Sequence, residues 1–272
     1  MPRSMPSLVQ TASELAPLLA RVADGALLVG LDFDGTLSPI VDRPEDARLE
    51  TGMQHRLSKL SALVPTAVIS GRDLDALRTL APVAGLTLVG SHGLEISRPD
   101  GVVERADGLD RSDADLSELI ERLHRTTGGL KGVLVEPKRH SVAVHWRTAA
   151  PSDQDAAEQA VLDAARQVVS FKVVTGKMVA ELRPAIERDK GGAVVLLQSR
   201  VALNGTAPTV LYIGDDVTDE DAFQVLDPTK DVGILVASSP RPSAATWRLP
   251  DIAAVAGFLD RLIQTRQAAP TP

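Results

Sequence analysis

Short apolar runs alternate with segments of helical periodicity from Ala26 to Ala81, and this alternation restricts the possible folds more than any other feature of the chain. ALLVGLD, TAVIS and LTLVGS predict strands, whereas ETGMQHRLSKLSAL and GRDLDALRTLA predict the helices that follow the first two of them. The strand segments are apolar throughout, which is typical of parallel strands that are covered on both faces. The sequence therefore predicts an α/β fold with a doubly wound, Rossmann-like parallel sheet.

The pattern changes after Gly93. LEISRPDGVVER predicts a hairpin around Asp100-Gly101, and a helix followed by two alternating strands then occurs twice. From Asp189 the first pattern returns, with the strands TVLYIG and VGILVA between helices. We therefore predict that residues 105–184 form a smaller α+β domain, inserted into a core made of residues 1–104 and 185–272.

Composition and charge exclude several classes of function. The chain has 272 residues with a net charge of −7, and this acidic balance gives no electrostatic support for a nucleic-acid partner. It has no cysteine, which excludes disulfides and thiolate chemistry and fits a cytoplasmic location. No apolar run reaches the length of a membrane span, and the N-terminal segment predicts an amphipathic helix capped by Thr11 or Ser13.

Two carboxylates follow the first predicted strand directly, in the string DFDGT. Alternation places Asp32 and Asp34 on the same side of the chain, at the carboxyl end of a strand, where open parallel sheets bind ligands. Two close carboxylates repel each other unless a cation lies between them, and GDDVTDED, after the strand TVLYIG, adds oxygen ligands that suit Mg²⁺. A metal-bound Asp32 can then act as a nucleophile, with Asp34 as general acid and base. The alternative is that both residues only cap the following turn.

Two further polar clusters occupy neighbouring positions in the predicted sheet. Ser70, Gly71 and Arg72 follow the second strand, where a hydroxyl and backbone N–H groups can bind an anion. Lys190 opens the first helix after the insert. Taken alone, a Ser-Gly pair is more often a simple helix cap and a lysine is usually a surface residue, so their significance depends on convergence with the acidic residues.

The order of these motifs resembles that of the haloacid dehalogenase superfamily of phosphotransferases. D-x-D-G-T is followed by the serine, the lysine and G-D-D-x-x-D, as in the four motifs of that superfamily. Further strings resemble one branch, the trehalose-6-phosphate phosphatases: LDFDGTLSPIVDRPEDA, VISGRD, GSHGLE, EPKRHSVAVHWR, GKMVAELRP and YIGDDVTDEDAF. The resemblance covers about Leu28 to Ala237, including the insert.

The resemblance implies a covalent mechanism for phosphate-ester hydrolysis. Asp32 would attack phosphorus and form an aspartyl-phosphate, while Asp34 would protonate the departing sugar oxygen and later deprotonate the attacking water. Ser70 and Lys190 would bind the phosphoryl oxygens and offset their charge, and the phosphate group would also contact Gly35, Gly71 and Arg72.

The resemblance also implies a magnesium site. Mg²⁺ would be held by Asp32, the backbone carbonyl of Asp34, and Asp215, while Asp216 and Asp219 would orient the water around the metal.

Substrate choice would depend on the insert, which in this family closes over the core and binds the sugar. The residues expected to reach glucose hydroxyls are Glu136, Lys138, Arg147, Lys177 and Glu181, with His92 and Glu95 nearby. Taken singly, charged residues on a small sheet are usually solvated. The implied substrate is trehalose 6-phosphate, a small-molecule sugar phosphate, and the expected state is a monomer. The alternatives are a phosphatase for sucrose phosphate or mannosylglycerate phosphate, or a catalytically silent regulatory domain.

Overall fold

The computed structural model describes residues 4–9, 11–41, 43–176, 178–202 and 205–268. Their contacts divide the chain into two compact units, one made of the residues up to Glu104 and from Arg188 onward, the other of Arg105–Glu187. The strands are β1 (Ser7–Leu8), β2 (Leu27–Leu31), β3 (Thr66–Ile69), β4 (Leu86–Gly90), β5 (Glu95–Ser97), β6 (Val103–Arg105), β7 (Leu134–Pro137), β8 (Val142–His145), β9 (Phe171–Gly176), β10 (Val179–Pro184), β11 (Thr209–Gly214), β12 (Val232–Val236) and β13 (Trp247–Leu249). The helices are α1 (Ala12–Val22), α2 (Met53–Ser61), α3 (Leu74–Leu80), α4 (Leu109–Thr127), α5 (Pro151–Gln167), α6 (Lys190–Val201), α7 (Asp219–Val225) and α8 (Ile252–Ala268).

A mostly parallel sheet forms the centre of the first unit. Within the described residues it has nine strands in the order β1-β13-β12-β11-β2-β3-β4-β5-β6. Each neighbouring pair from β1 to β4 is parallel, and β5 runs antiparallel to β4. Strands β2, β3 and β12 are buried along their whole length, as their uninterrupted apolar sequences predict. The predicted α/β class with a doubly wound parallel sheet is confirmed.

Two apolar clusters cover opposite faces of this sheet. Along β2, Val29 belongs to the cluster that includes residues of α1, α2 and α8, whereas its neighbour Leu28 belongs to the cluster that includes residues of α6 and α7. This division follows from the two-residue period of a strand. Burying a leucine or valine side chain contributes about 1.5–3 kcal/mol. The central strands are therefore held from both sides, and their carboxyl ends provide a rigid base for polar loops.

The second unit is built on an antiparallel sheet. Among its described residues the strand order is β7-β8-β10-β9, with antiparallel pairing throughout. Val142, Val144 and Leu182 face a cluster that includes residues of α4 and α5. The alternate residues, among them Glu181 and its cross-strand partner Ala143, point to the other face. The helices therefore cover one face of this sheet, and the opposite face carries polar side chains.

One predicted helix cap and two short strands that were not predicted lie towards the two ends of the chain. Thr11 caps α1: its hydroxyl accepts a hydrogen bond from the N–H of Glu14, whose carboxylate accepts one from the N–H of Thr11. The short strands β1 and β13 were not predicted, because two or three residues provide too little periodicity. Among the described residues, no helix combines the length and apolar character needed to cross a membrane.

Candidate active site

A buried ion pair lies at the carboxyl end of β2. Asp32 continues the strand, since its N–H donates to the carbonyl of Ile213 on β11 at 2.9 Å, and only 4% of its surface is exposed. Lys190 is the first residue of α6, and its Nζ donates to Asp32 Oδ1 at 2.6 Å and to Asp219 Oδ1 at 2.7 Å. The structure thus brings three predicted site residues from distant parts of the sequence into direct contact.

Asp219 links this ion pair to the acidic loop after β11. Its Oδ1 also accepts a hydrogen bond from the hydroxyl of Tyr212 at 2.6 Å. Its Oδ2 accepts the backbone N–H groups of Asp215 at 3.0 Å and Asp216 at 2.9 Å. Asp219 is fully buried at the start of α7, so its carboxylate holds both the loop and the lysine. Tyr212 was missed by sequence reasoning, although it is the only tyrosine and lies two residues before the acidic loop.

Burial and mutual repulsion act on the carboxylates of this cluster. Burial raises the pKa of Asp32 well above its usual range, and Lys190 opposes this increase without cancelling it. Burial, together with the charges of Asp219 and Asp216, raises the pKa of Asp215 to about 6. The pKa of Lys190 is also raised, because Asp32 and Asp219 outweigh its burial. The single ammonium group therefore leaves an excess of negative charge in the cluster.

This excess of negative charge fits a divalent cation. Asp32, Asp215 and Asp219 each offer a carboxylate oxygen, and these oxygens all lie within 4.8 Å of one another. Among the described residues, the buried Oδ1 of Asp215 has no hydrogen-bond partner, so it remains free to bind a metal. An all-oxygen donor set suits Mg²⁺. Asp219 already accepts several hydrogen bonds, whereas the sequence interpretation predicts Asp32 and Asp215 as the side-chain ligands.

Gly35 allows the acidic loop to approach the first turn closely. It has a φ of +77°, and a Cβ built there would lie 2.0 Å from Asp215 Oδ2. A side chain at this position would meet both backbone strain and the carboxylate. The glycine of DFDGT is thus needed for the packing of Asp215 against this turn.

Asp34 is paired with Arg72. Two parallel hydrogen bonds, both 2.7 Å, run from Nε and Nη2 of Arg72 to the two carboxylate oxygens of Asp34. Nη1 of Arg72 donates to the carbonyl of Pro44 at 2.7 Å, and the guanidinium lies 5.5 Å from the ring centroid of Phe33. The sequence interpretation makes Arg72 a phosphate ligand, whereas the structure directs all three of its nitrogens to other groups. Its position indicates that it orients the carboxylate of Asp34.

The turn that contains Ser70 and Gly71 is supported by the turn after β4. The N–H of His92 donates to the carbonyl of Ser70 at 3.0 Å, and the N–H of Ser91 donates to the carbonyl of Arg72 at 2.8 Å. Ser91 and His92 both have positive φ, at 49° and 56°, which is unusual for residues other than glycine. A Cβ on Gly71 would lie 2.6 Å from Nε2 of His92. The predicted residues Ser70, Gly71 and His92 therefore form one packed group, while Glu95 is buried in β5.

The polar sheet face of the second unit carries three of the predicted sugar-binding residues. Nζ of Lys138 donates to Glu181 Oε1 at 3.3 Å, and Glu136 lies 2.7 Å from His145. Arg147 is exposed just beyond β8. Lys177, the fifth predicted residue, lies outside the described residues.

A cavity of about 250 Å³ opens on this polar face. Besides Lys138 and Glu181, its lining includes His145 and Arg183, which sequence reasoning did not select. Arg183 lies two residues after Glu181 on β10, so strand alternation was a usable signal. Burial raises the pKa of Glu181, but hydrogen bonds from Ser141 and Arg183 and the charge of Lys138 outweigh it, so the pKa lies below its usual value. The carboxylate is therefore ionised at neutral pH and accepts hydrogen bonds.

The core fold is that of haloacid dehalogenase-like proteins. A solved haloacid dehalogenase-like hydrolase from Bacteroides thetaiotaomicron superposes with a TM-score of 0.63 at 16% identity, covering 88% of this chain and 100% of that one. A trehalose-6-phosphate phosphatase from Aspergillus fumigatus superposes with a TM-score of 0.74 at 28% identity, covering 96% of this chain and 100% of that one.

Sequence comparison gives the family. The model of the trehalose-phosphatase family matches residues 30–253, and the chain belongs to this family. A trehalose-phosphate phosphatase from Mycobacterium tuberculosis is 40% identical over 257 residues, which cover 92% of this chain and 65% of the relative. The chain thus spans about 65% of the length of this curated relative.

Proposed function

We propose that this protein hydrolyses trehalose 6-phosphate to trehalose and inorganic phosphate. The observation that carries the proposal is the buried network in which Lys190 bridges Asp32 and Asp219 at the carboxyl end of the parallel sheet. Family membership supports the choice of substrate, and the two relatives described as trehalose-phosphate phosphatases carry that activity in their names.

In the proposed reaction Asp32 is the nucleophile. A carboxylate oxygen of Asp32 attacks phosphorus while the bond to the sugar oxygen breaks, and Asp34 gives its proton to that departing oxygen. The product is an aspartyl-phosphate. Asp34 then takes a proton from a water molecule, whose oxygen attacks the phosphorus, and the carboxylate of Asp32 leaves with free phosphate as the other product. The ammonium of Lys190 and the hydroxyl of Ser70 offset the negative charge that develops on the phosphoryl oxygens.

Asp32 and Asp215, with the backbone carbonyl of Asp34, would hold Mg²⁺ in this scheme. Bound Mg²⁺ supplies positive charge that neutralises the phosphoryl oxygens and orients the group for in-line attack. The support for this cation is the excess negative charge of the cluster and the buried Oδ1 of Asp215, which has no hydrogen-bond partner in the described part of the chain. The sugar is assigned to the polar face of the second unit, where Lys138 and Glu181 present a hydrogen-bonding pair of opposite charge.

Phosphate release from a panel of substrates tests the proposal. The panel contains trehalose 6-phosphate, sucrose phosphate, mannosylglycerate phosphate and p-nitrophenyl phosphate. We expect the highest kcat/KM on trehalose 6-phosphate, loss of activity with EDTA, and recovery with Mg²⁺. If the protein prefers another sugar phosphate, that compound replaces trehalose 6-phosphate as the proposed substrate. If it releases phosphate from none of them, the proposed activity is wrong and the protein is a catalytically silent binding domain.

Asp32→Asn tests the nucleophile separately. An amide does not attack phosphorus, so turnover should fall at least about 10³-fold, in the range seen when a catalytic nucleophile is removed. The matched control is Asp24→Asn in the exposed loop before β2, which should keep full activity. Substantial phosphate release by a folded Asp32→Asn protein would contradict the covalent mechanism.

A further inference from the structure

The loop between β12 and β13 contributes a side chain to the acidic loop from outside the predicted motifs. Nη2 of Arg241 donates to the backbone carbonyl of Asp215 at 2.9 Å and to that of Asp216 at 3.3 Å. These are the residues whose N–H groups are bound by Asp219 from inside the site. Asp219 therefore binds the backbone N–H groups of the acidic loop, and Arg241 binds its backbone carbonyls.

Glu220 fixes the guanidinium that makes these contacts. Nη1 of Arg241 lies 3.3 Å from Glu220 Oε1, and Glu220 Oε2 accepts the N–H of Ala244 at 2.9 Å. Glu220 is 1% exposed, whereas the side chain of Arg241 is 32% exposed. A carboxylate buried to this degree needs a cationic or hydrogen-bonding partner. Arg241 and the backbone of its own loop both meet this need, and they tie the loop to α7.

Asp215 is a residue of the acidic loop that these contacts reach directly. Its Oδ1 is buried and has no hydrogen-bond partner among the described residues, so no contact made by that atom holds the side chain in place. Its backbone is held at both polar groups, since Asp219 accepts its N–H and Arg241 donates to its carbonyl. We propose that Arg241, together with Glu220, is a positioning residue that holds Asp215 in place for cation binding and turnover. The inference rests on the proposed metal-dependent phosphatase.

The variants separate a positioning role from a general contribution to folding. Arg241→Ala removes every contact, and Arg241→Lys keeps a positive charge near Glu220 but loses the planar group that reaches the carbonyls. Glu220→Gln keeps the shape of the partner and removes its charge. The matched control is Arg200→Ala, which removes an ion pair with Glu104 and whose side chain is 35% exposed.

Mg²⁺ binding without substrate is the first measurement, by isothermal titration calorimetry on the folded proteins. We expect Arg241→Ala to weaken Mg²⁺ binding by about 10- to 100-fold, as does loss of other groups that orient metal ligands. Arg241→Lys should weaken Mg²⁺ binding nearly as much, and Glu220→Gln should weaken it less. The control Arg200→Ala should leave Mg²⁺ affinity unchanged. The second measurement is the Mg²⁺ dependence of kcat on trehalose 6-phosphate, where excess Mg²⁺ should recover part of the activity of Arg241→Ala.

Each outcome bears on the inference. Unchanged Mg²⁺ affinity and kcat in folded Arg241→Ala would overturn it; if that variant does not fold, Arg241→Lys and Glu220→Gln decide in the same way. A parent protein that binds no Mg²⁺ overturns the inference together with the proposed metal site. A parent protein that binds Mg²⁺ and releases no phosphate removes the proposed function alone, and the calorimetry still tests the role of Arg241.

Discussion

Arg72 and Asp34 meet through two parallel hydrogen bonds, a geometry that the planar guanidinium allows and the ammonium of lysine does not. The same guanidinium also bonds the carbonyl of Pro44, so it connects the turn after β3 to the segment that follows the first acidic turn. The carboxylate that the proposed mechanism uses as acid and base is therefore oriented by a residue from a different strand.

Arg72→Lys tests whether this residue orients Asp34 or binds phosphate. If it orients Asp34, kcat should fall by about 10- to 100-fold while KM changes little, because small misplacements of a catalytic group cost up to about 10²-fold. Steady-state kinetics on trehalose 6-phosphate measure both constants. Arg78→Lys on α3, an arginine that contacts Asp75 and Ser97, is the control. A raised KM with an unchanged kcat would instead favour the phosphate ligand that the sequence suggests.

Single residues show what the sequence could and could not predict. Asp32 and Lys190 were selected because each lies next to a strand end or helix start within a recognisable motif, and they contact each other in the structure. Tyr212 and Arg241 were not selected, because a buried tyrosine and a loop arginine look ordinary until their partners are known. Such partners depend on the way distant segments pack, which a local pattern does not contain.

Helices α1 and α8, from opposite ends of the chain, are joined by Arg266. Its guanidinium donates to the carbonyls of Ala23 at 2.9 Å and Gly25 at 3.0 Å, just beyond the end of α1. The last carbonyls of a helix have no partner within the helix, so an arginine from a neighbouring element can satisfy them.

Arg266→Ala should therefore destabilise the protein without affecting the site. The free energy of unfolding should fall by about 0.5–1.5 kcal/mol, since a half-buried carbonyl at Ala23 and an exposed one at Gly25 lose their donor. Urea unfolding followed by circular dichroism measures this change, and kcat at 25 °C should stay unchanged. Arg261→Ala on the exposed side of the same helix is the control. Equal stability of the two variants would mean that water replaces these hydrogen bonds at no cost.

Elements of different lengths were predicted with different success. The fully apolar strands β2, β3 and β12 and the capped helix α1 follow from local sequence, because burial on both faces and a capping residue each leave a clear pattern. The short strands β1 and β13 are formed by pairing with neighbouring strands, and their sequences alone do not require a strand.

The whole chain divides its residues between two units of different character. The first has a parallel sheet with buried charges at the carboxyl ends of its strands, and the second has an antiparallel sheet with a polar face and a cavity. The sequence indicated this difference through the change from apolar to alternating strands. It could not indicate the pairing of Lys138 with Glu181, which comes from the register of separate strands.

The proposed function assigns phosphate chemistry to the first unit and sugar binding to the second. It therefore predicts that substitutions in the second unit affect substrate choice without affecting the chemical step. Lys138→Ala and Glu181→Ala each remove a polar partner that a sugar hydroxyl would use, which should cost about 1–3 kcal/mol apiece. Activity on trehalose 6-phosphate should then fall by about 10- to 100-fold. Hydrolysis of p-nitrophenyl phosphate, which has no sugar, should stay close to that of the parent.

Comparing the two substrates makes this prediction specific. Glu158→Ala, on the exposed surface of α5 in the same unit, is the control and should change neither rate. Because Glu181 also accepts hydrogen bonds from Ser141 and Arg183, thermal unfolding of each variant must accompany the kinetics. Equal losses on both substrates would mean that these residues maintain the fold. Unchanged rates on both would mean that the polar face is only solvated, and sugar recognition would then have to come from other residues.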